Sequence, residues 1–148
     1  MKALKSTLAA LALIALPALA MGADHEIRMM NFGTDGGMVF EPPFVKAEVG
    51  DTVTFIPANS SHNVRSYALP ADVAAWNTPM DQKTTITLEK PGVYLYYCPP
   101  HLMMGMVGVI QAGAPVNLDE VRQKAEKLRP KLVMKADRLD RYLGQVSP

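Results

Sequence analysis

The chain has 148 residues, a formal net charge of +1, 49% hydrophobic residues and a single cysteine. This size suits one domain with its own hydrophobic core, and a single thiol excludes an internal disulfide. Residues 23–116 contain nine acidic and five basic residues, which excludes a nucleic-acid binder that relies on a dense basic patch.

The N-terminal segment has the layout of a secretory signal peptide. Two lysines precede an apolar run over residues 8–16, and the small residues that follow allow cleavage after Ala20 or Gly22. A transmembrane anchor is the alternative, but the run is shorter than the roughly 20 residues that span a bilayer. We therefore expect residues 1–22 to be a signal peptide and the mature chain to be periplasmic, with no membrane insertion.

The next part of the chain predicts a series of short strands. Strand signals occur at residues 25–30, 38–40, 44–47, 52–56, 62–66, 83–88, 93–97 and 106–111. Residues 68–80 lack strand alternation and predict loops with a helical turn. Many short strands with glycine and proline turns, and no long helix among them, predict an all-β antiparallel sandwich.

From Asn117 the pattern becomes helical. Asn117 and Glu120 have the spacing of an N-cap and its capping-box partner. Apolar residues at helical spacing then predict two short amphipathic helices separated by Pro130. Helices this short need a surface to pack against. We therefore expect residues 117–148 to form a helical extension packed on a domain of residues 23–116.

The residues that bear chemistry concentrate before the last predicted strand. Cys98, His101 and Met106 place a thiolate, an imidazole and a thioether within nine residues. Soft sulfur ligands with imidazole select copper, and two histidines, one cysteine and a weak axial methionine form an electron-transfer copper site. The second histidine must come from elsewhere. His62, in a loop at a strand start, is a better candidate than His25, which has no neighbouring ligand types.

Other chemistries compete for these residues. A lone histidine is usually a surface or core residue, and Cys98 alone could be an inert buried thiol. Cys98 with His101 could act as a nucleophile and its base, but no third orienting group is evident and Pro99-Pro100 stiffens the loop. A structural zinc site or a copper oxidase needs further ligands, and the chain has only three histidines.

The motifs around these residues resemble those of cupredoxins, the type 1 blue copper proteins, and among them pseudoazurins. The matching segments are residues 40–42, 49–55, 62–64, 91–94, 98–101 and 106–109. The resemblance covers about residues 23–113, and the helical extension resembles the C-terminal helices of pseudoazurins. It implies a cupredoxin Greek-key β-sandwich with two short C-terminal α-helices. It also implies one copper ion per chain, with His62, Cys98, His101 and Met106 as the ligands.

Two methionines compete for the axial position. A Cys-x₂-His-x₄-Met spacing gives Met106 and resembles pseudoazurin and plastocyanin, whereas a Cys-x₂-His-x₂-Met spacing gives Met104 and resembles amicyanin. In both types the axial methionine stands two residues before a glycine that opens the last strand. Gly108 satisfies this relation for Met106, which is the methionine we predict.

The resemblance also implies a function without catalysis. It predicts a monomeric electron carrier that cycles between Cu(I) and Cu(II) and exchanges electrons with redox proteins docking near His101. The candidate partners are a copper nitrite reductase and a cytochrome. A periplasmic copper carrier is the alternative, and it would need an open, exchangeable site. Two features depart from the pseudoazurin pattern: Pro99 stands where a threonine is common, and few lysines surround the histidine face.

Two expectations concern the surroundings of the site. The resemblance implies that the Asn63 side chain forms a hydrogen bond across to the Cys98 loop and locks the two ligand loops together. Pro100, Leu102, Met103 and Met104 should form an apolar collar around His101, with at least one of these methionines pointing inward as core.

Overall fold

A computed structural model of the chain describes residues 22–148. Apart from Gly22, the predicted signal peptide lies outside these residues. The strands are β1 (Asp24–Gly33), β2 (Gly36–Glu41), β3 (Phe44–Ala47), β4 (Thr52–Pro57), β5 (Arg65–Ala68), β6 (Thr84–Thr87), β7 (Gly92–Tyr97) and β8 (Val107–Ala112). Two α-helices follow, α1 (Leu118–Leu128) and α2 (Asp137–Leu143), and 3₁₀ segments span Pro99–Met104 and Arg129–Lys131.

The strands form a sandwich of two four-stranded sheets, and the predicted sandwich is confirmed. Sheet I has the order β2-β1-β4-β6, and sheet II has the order β3-β8-β7-β5. The prediction of purely antiparallel sheets is wrong, because β1 pairs with β4 and β3 pairs with β8 in parallel. After β2 the chain changes sheet at each connection until β7. Neighbouring strands of one sheet are therefore often not consecutive in sequence.

The main hydrophobic core fills the space between the two sheets. Its aromatic centre consists of Phe40, Phe55 and Tyr96, whose ring centroids lie 4.9–6.1 Å apart in edge-to-face arrangements. Such pairs add to the free energy gained by burying large apolar side chains. Cys98 and Met106 belong to the same buried cluster. The copper-ligand candidates are therefore built into the end of the core.

A second core lies between sheet II and the helices. Val121 and Leu128 of α1 and Leu139 of α2 pack with Leu95 and Val109, and all five side chains are at most 1% exposed. Sheet II is thus covered on both faces, which explains why all six residues of β8 are buried. None of the helices in the described part of the chain is long and apolar enough to cross a membrane.

Two local predictions fail. Residues 69–80 form loops with a turn at residues 71–72 rather than a helical turn. Asn117 stands at the N-cap of α1, but its side chain makes no capping hydrogen bond. Instead, Asn117 Oδ1 accepts a hydrogen bond from the Val93 N–H at 2.7 Å, and its Nδ2 donates to the Val93 carbonyl at 3.0 Å. The asparagine fastens the extension to β7 instead of capping the helix.

Gly108 allows the Tyr96 ring to cross β8. The two residues are direct cross-strand partners, and a Cβ atom at position 108 would lie 2.3 Å from Cζ of Tyr96. Any side chain at position 108 would therefore force the Tyr96 ring to move, and that ring is completely buried. The glycine is therefore required by the close approach of an aromatic side chain.

We expect Gly108→Ala to lower the free energy of unfolding of the metal-free protein by about 1–3 kcal/mol, because the Tyr96 ring must move within a packed core. Urea unfolding measures this change. Gly37→Ala is the control, since its Cβ would meet neighbours no closer than 3.7 Å. Equal stability of the two variants would contradict this account of Gly108.

Candidate metal centre

Cys98 is placed by the alternation of side chains along β7. Tyr94 and Tyr96 point into the core between the sheets, whereas Val93 and Leu95 face the helices. Cys98 continues this alternation on the same side as the two tyrosines, and it is completely buried. Its backbone N–H donates to the Met106 carbonyl at 3.0 Å. This hydrogen bond closes the loop between β7 and β8 at its base.

The loop itself is a tight 3₁₀ segment that carries His101. The His101 N–H donates to the Cys98 carbonyl at 3.0 Å, and the Met106 N–H donates to the His101 carbonyl at 3.2 Å. Gly105 ends the segment with φ of +76°, a left-handed conformation that glycine adopts without strain. These backbone bonds fix the position of His101 between the cysteine and the methionine.

His62 is held on both sides by polar groups from other parts of the chain. Asp81 and His62 bond reciprocally: the His62 N–H donates to Asp81 Oδ1 at 2.9 Å, and the Asp81 N–H donates to the His62 carbonyl at 2.8 Å. On the imidazole, Nε2 lies 2.9 Å from Asn31 Oδ1. Because an amide oxygen only accepts, Nε2 carries the proton and Nδ1 is left as a lone-pair donor.

Three of the predicted ligands meet at one point. Sγ of Cys98 lies 3.8 Å from His62 Nδ1 and 3.5 Å from His101 Nδ1, and all three ligand atoms lie within 4.8 Å of one another. Metal–nitrogen and metal–sulfur bonds of about 2.0 and 2.3 Å at trigonal angles place a sulfur and a nitrogen ligand about 3.7 Å apart, close to the two Sγ–Nδ1 distances. The spacing and the donor types therefore fit a copper ion bound by one thiolate and two imidazoles.

The two candidate axial methionines have different environments. Met106 is 0% exposed and packs in the same core cluster as Cys98, whereas Met104 is 40% exposed. Met104 lines a surface cavity of about 180 Å³ together with Met38 and Met134. Of the two side chains, that of Met106 thus lies in the core cluster that also contains the thiol.

His25, the third histidine of the chain, takes no part in this cluster. Its Nε2 lies 2.8 Å from Asp51 Oδ2, at the opposite end of β1 from Asn31. The choice of His62 over His25 as the histidine that joins Cys98 and His101 agrees with this geometry.

Burial controls the protonation of the cluster before a metal binds. It raises the pKa of the Cys98 thiol to about 11, although backbone N–H groups of Asn63 and His101 oppose the rise. Burial also lowers the pKa of His62 and of His101, and for His62 the neighbouring His101 acts in the same direction. The metal-free site therefore holds neutral imidazoles and a protonated thiol near pH 7. Copper binding must displace the thiol proton.

Asn63 links the two ligand loops, but not by its side chain. Its Nδ2 donates to Asn77 Oδ1 at 3.2 Å and to the Thr78 carbonyl at 3.1 Å. The expected side-chain bond to the Cys98 loop is wrong, and the backbone N–H of Asn63 approaches Cys98 Sγ instead. Asn63 Oδ1 is buried and has no hydrogen-bond partner among the described residues.

The surroundings of His101 are more exposed than predicted. Met103 is 63% exposed and Met104 is 40% exposed, so the expectation that one of them points inward is wrong. Leu102 instead turns toward the second core, where it is partly buried. The apolar collar therefore consists mainly of flexible thioether side chains on the surface.

Two residues of the site were not found from the sequence. Asn31 lies within a strand and Asp81 within a turn, and neither belongs to a ligand motif. The φ of Asp81 is +57°, an unusual value for a residue other than glycine. This angle is known only from the structure, so it gave no signal in the sequence. The contact of Asn31 depends on its position in β1 and on the path of the His62 loop.

Comparison with known proteins identifies the family. Residues 27–113 match the family model described as copper binding proteins of the plastocyanin/azurin family. The chain belongs to this family. It is 44% identical over 142 residues to the pseudoazurin of Paracoccus pantotrophus, with 94% of each chain covered. It is 45% identical to a putative pseudoazurin of Rhizobium leguminosarum bv. viciae, covering 93% of this chain and 89% of the relative.

A solved structure shows the same relationship. Native pseudoazurin from Hyphomicrobium denitrificans superposes with a TM-score of 0.73 at 37% identity, covering 85% of this chain and all of that one. The predicted cupredoxin fold and copper cofactor are thus confirmed. Cupredoxins transfer electrons and are not enzymes, and this chain is assigned to the same class.

We expect Asn31→Ala to lower copper affinity about 10–100-fold, because His62 loses the partner that fixes its ring and tautomer. Competition with a Cu(I) chelator measures the affinity. Asn59→Ala is the matched control: Asn59 Oδ1 accepts from the Asn31 backbone N–H at 2.9 Å but does not contact His62. An unchanged affinity in Asn31→Ala, or an equal loss in the control, would refute this role.

Proposed function

We propose that the chain is a periplasmic single-electron carrier whose copper ion is held by His62, Cys98, His101 and Met106. The observation that carries this proposal is the cluster of a thiol and two Nδ1 atoms within 4.8 Å, with Met106 buried in the same core cluster as the thiol. A trigonal set of two imidazoles and a thiolate with a weak axial thioether is the donor set of electron-transfer copper sites.

The protein supplies a rigid and dry environment for that ion. A bound copper ion would gain and lose one electron reversibly. The chain keeps water away by burying His62, Cys98 and Met106 completely. It also restrains the ligands through Asn31, Asp81 and the backbone bonds of the loop, so a change in charge moves few atoms. A small rearrangement is the requirement for fast electron exchange.

Electrons are proposed to enter and leave through His101. Unlike the other three ligand candidates, its side chain is only partly buried. Exposed apolar side chains connect closely to this end of the sandwich: Phe32, Met80, Met103, Met104 and Met134. We call this set the apolar face. Three of these side chains, Phe32, Met104 and Met134, line one surface cavity. Exposed apolar patches mark contact sites, and methionine adapts to different partners.

Each member of the apolar face lies close in sequence to a residue of the ligand cluster or its supports, or is joined to the loop by a backbone hydrogen bond. Phe32 follows Asn31 and Met80 precedes Asp81, the two residues that hold His62. Met103 and Met104 follow His101 in the loop. The Met134 N–H donates to the Met103 carbonyl at 2.9 Å, which brings the segment before α2 to the same surface.

The partner and the location follow from the resemblance and the N-terminal pattern. We propose a copper nitrite reductase or a cytochrome as the exchange partner, docking as a transient complex with a monomer of this chain. The segments are a signal peptide at residues 1–22, a copper domain at residues 23–116 and a helical extension at residues 117–148. An apolar contact is favoured over charge steering because few basic residues lie on the sandwich.

The site does not favour a copper carrier. A carrier must release its ion readily, whereas three of the four proposed ligands are completely buried. Hydrogen bonds within the chain also hold their surroundings in place. Such a site suits an ion that stays in place through repeated oxidation and reduction.

The proposed function is tested by adding Cu(II) to residues 23–148 and recording visible absorption and EPR before and after ascorbate. We expect intense cysteine-to-copper charge transfer and a small copper hyperfine splitting, with colour that disappears on reduction and returns on oxidation. Cys98→Ser is the control and should remove the colour. A pale spectrum with normal splitting, or copper lost on reduction, would refute the electron-carrier proposal.

We expect Met103→Glu to slow electron self-exchange about tenfold while leaving the copper spectrum unchanged, because two approaching copies would bring like charges together at the apolar face. NMR line broadening in mixtures of oxidised and reduced protein measures the rate. Val116→Glu is the control, since Val116 is 71% exposed and follows the far end of β8. Equal rates in the two variants would place the exchange route elsewhere.

A further inference from the structure

Arg138 of α2 is a completely buried cation at the edge of the loop from Cys98 to Met106, which we call the ligand loop. Its side chain is 1% exposed, and it ranks among the largest fully buried side chains of the described residues. Arginine is rarely buried unless its charge and donors are satisfied. Its acidic neighbour is Asp35, at 3.4 Å from Nε, and that carboxylate is only partly buried. Most of its bonds go to backbone oxygens instead.

The guanidinium joins two parts of the site that are far apart in sequence. Nη2 donates to the carbonyls of Asp35 and Gly37 at 2.6 and 2.9 Å, and Nη1 donates to the Met38 carbonyl at 2.9 Å. These three carbonyls belong to the β1–β2 turn and the start of β2. Nη1 also donates to the Gly105 carbonyl at 3.1 Å. Gly105 immediately precedes Met106.

The ligand loop is tied to the extension at a second point. The Met134 N–H donates to the Met103 carbonyl at 2.9 Å, and a Cβ atom on Gly105 would lie only 2.6 Å from the Met134 carbonyl oxygen. The segment before α2 therefore lies directly against the loop. Residues 103–105 are held from outside by the helical extension as well as from inside by their own turn.

We propose that Arg138 is a positioning residue for the copper site, which fixes Gly105 and hence the Met106 thioether relative to the β1–β2 hairpin. The inference rests on the proposed function, because it assumes that Met106 is the axial ligand. The same hairpin carries Asn31, which holds His62 at 2.9 Å. One guanidinium thus links the segment that orients an equatorial histidine to the segment that presents the axial ligand.

The geometry requires arginine and not simply a positive charge. A guanidinium has five N–H donors in a fixed plane. In Arg138, Nη1 and Nη2 each donate to two backbone carbonyls. A lysine side chain is one bond shorter and has all its donors on one nitrogen, so its ammonium ends short of the Nη1 position, which contacts both the Met38 and the Gly105 carbonyls. Arg138→Lys keeps the charge and loses the bridge, which separates the two contributions.

The first test uses the metal-free protein and follows hydrogen exchange at the Met106 amide. We expect Arg138→Lys to raise its exchange rate about tenfold or more, because the loop loses its external support, while the Leu95 amide in β7 is unaffected. Unchanged protection at Met106 would overturn the proposal. This measurement needs no copper, so it can fail or succeed independently of the electron-carrier proposal.

The second test uses the copper-loaded protein and compares three variants by EPR, visible absorption and reduction potential. Arg138→Lys and Arg138→Met should change the ratio of the charge-transfer bands and the potential, because the axial ligand tunes both. Leu139→Ala destabilises the same helix, and Arg141→Met breaks another bond to Asp35; neither side chain bonds to the loop. Equal spectral changes in these two controls would reduce Arg138 to a structural residue and overturn the proposal.

The wild-type protein provides a measurement in case both Arg138 variants fail to fold. The Nη protons of Arg138 should be resolved by NMR and exchange slowly with solvent, and they should shift when Cu(I) is added to the metal-free protein. Freely exchanging protons, or protons that do not respond to Cu(I), would overturn the proposal. Absence of a type 1 signal in the loaded wild type would instead refute the electron-carrier proposal.

Discussion

The pairing of β7 with β8 is the constraint on which the site depends. The Cys98 N–H bonds to the Met106 carbonyl at 3.0 Å, so a thiol and a thioether enter the end of the core from adjacent strands. The loop between these two residues is short. Its 3₁₀ turn places His101 beside the thiol, with Nδ1 at 3.5 Å from Sγ. Of the four proposed ligands, only His62 therefore comes from a distant segment. A metal that prefers few, soft ligands can be held without large adjustments of the chain.

Most of this centre could be predicted from sequence because its chemistry is local. The segment from Cys98 to Met106 contains three donor types at a spacing that few other functions require, and strand alternation predicted the sandwich and its approximate strand positions. The glycine two residues after Met106 also has a structural counterpart, since Gly108 lies opposite the Tyr96 ring. Local patterns therefore predict the ligand loop and its supporting strands, whereas the reason for Gly108 is visible only in the structure.

The parts that could not be predicted all depend on contacts between distant segments. Nothing in the local pattern indicates that β1 pairs in parallel with β4, because strand periodicity does not identify partners. Asn117 has the ordinary features of a helix cap, yet its side chain bonds to the backbone N–H and carbonyl of Val93 instead. Asn63 likewise lies next to a ligand but turns its side chain away toward Thr78. Short polar side chains bond to whichever backbone the tertiary fold brings near, and sequence position alone does not determine that choice.

The extension connects the stability of the fold with the geometry of the site. Sheet II presents apolar side chains on its outer face, including Leu95 and Val109, and these would meet water without α1 and α2. Burying a leucine such as Leu139 contributes roughly 1.5–3 kcal/mol, and Tyr142 and Leu143 of the same helix are also buried, so the hydrophobic effect favours the docking of α2. Once α2 is docked for that reason, Arg138 is carried to the ligand loop without a separate entropic cost for ordering its backbone. The buried cation is therefore tolerated because apolar packing fixes the helix, and its carbonyl contacts can join the β1–β2 hairpin to the loop.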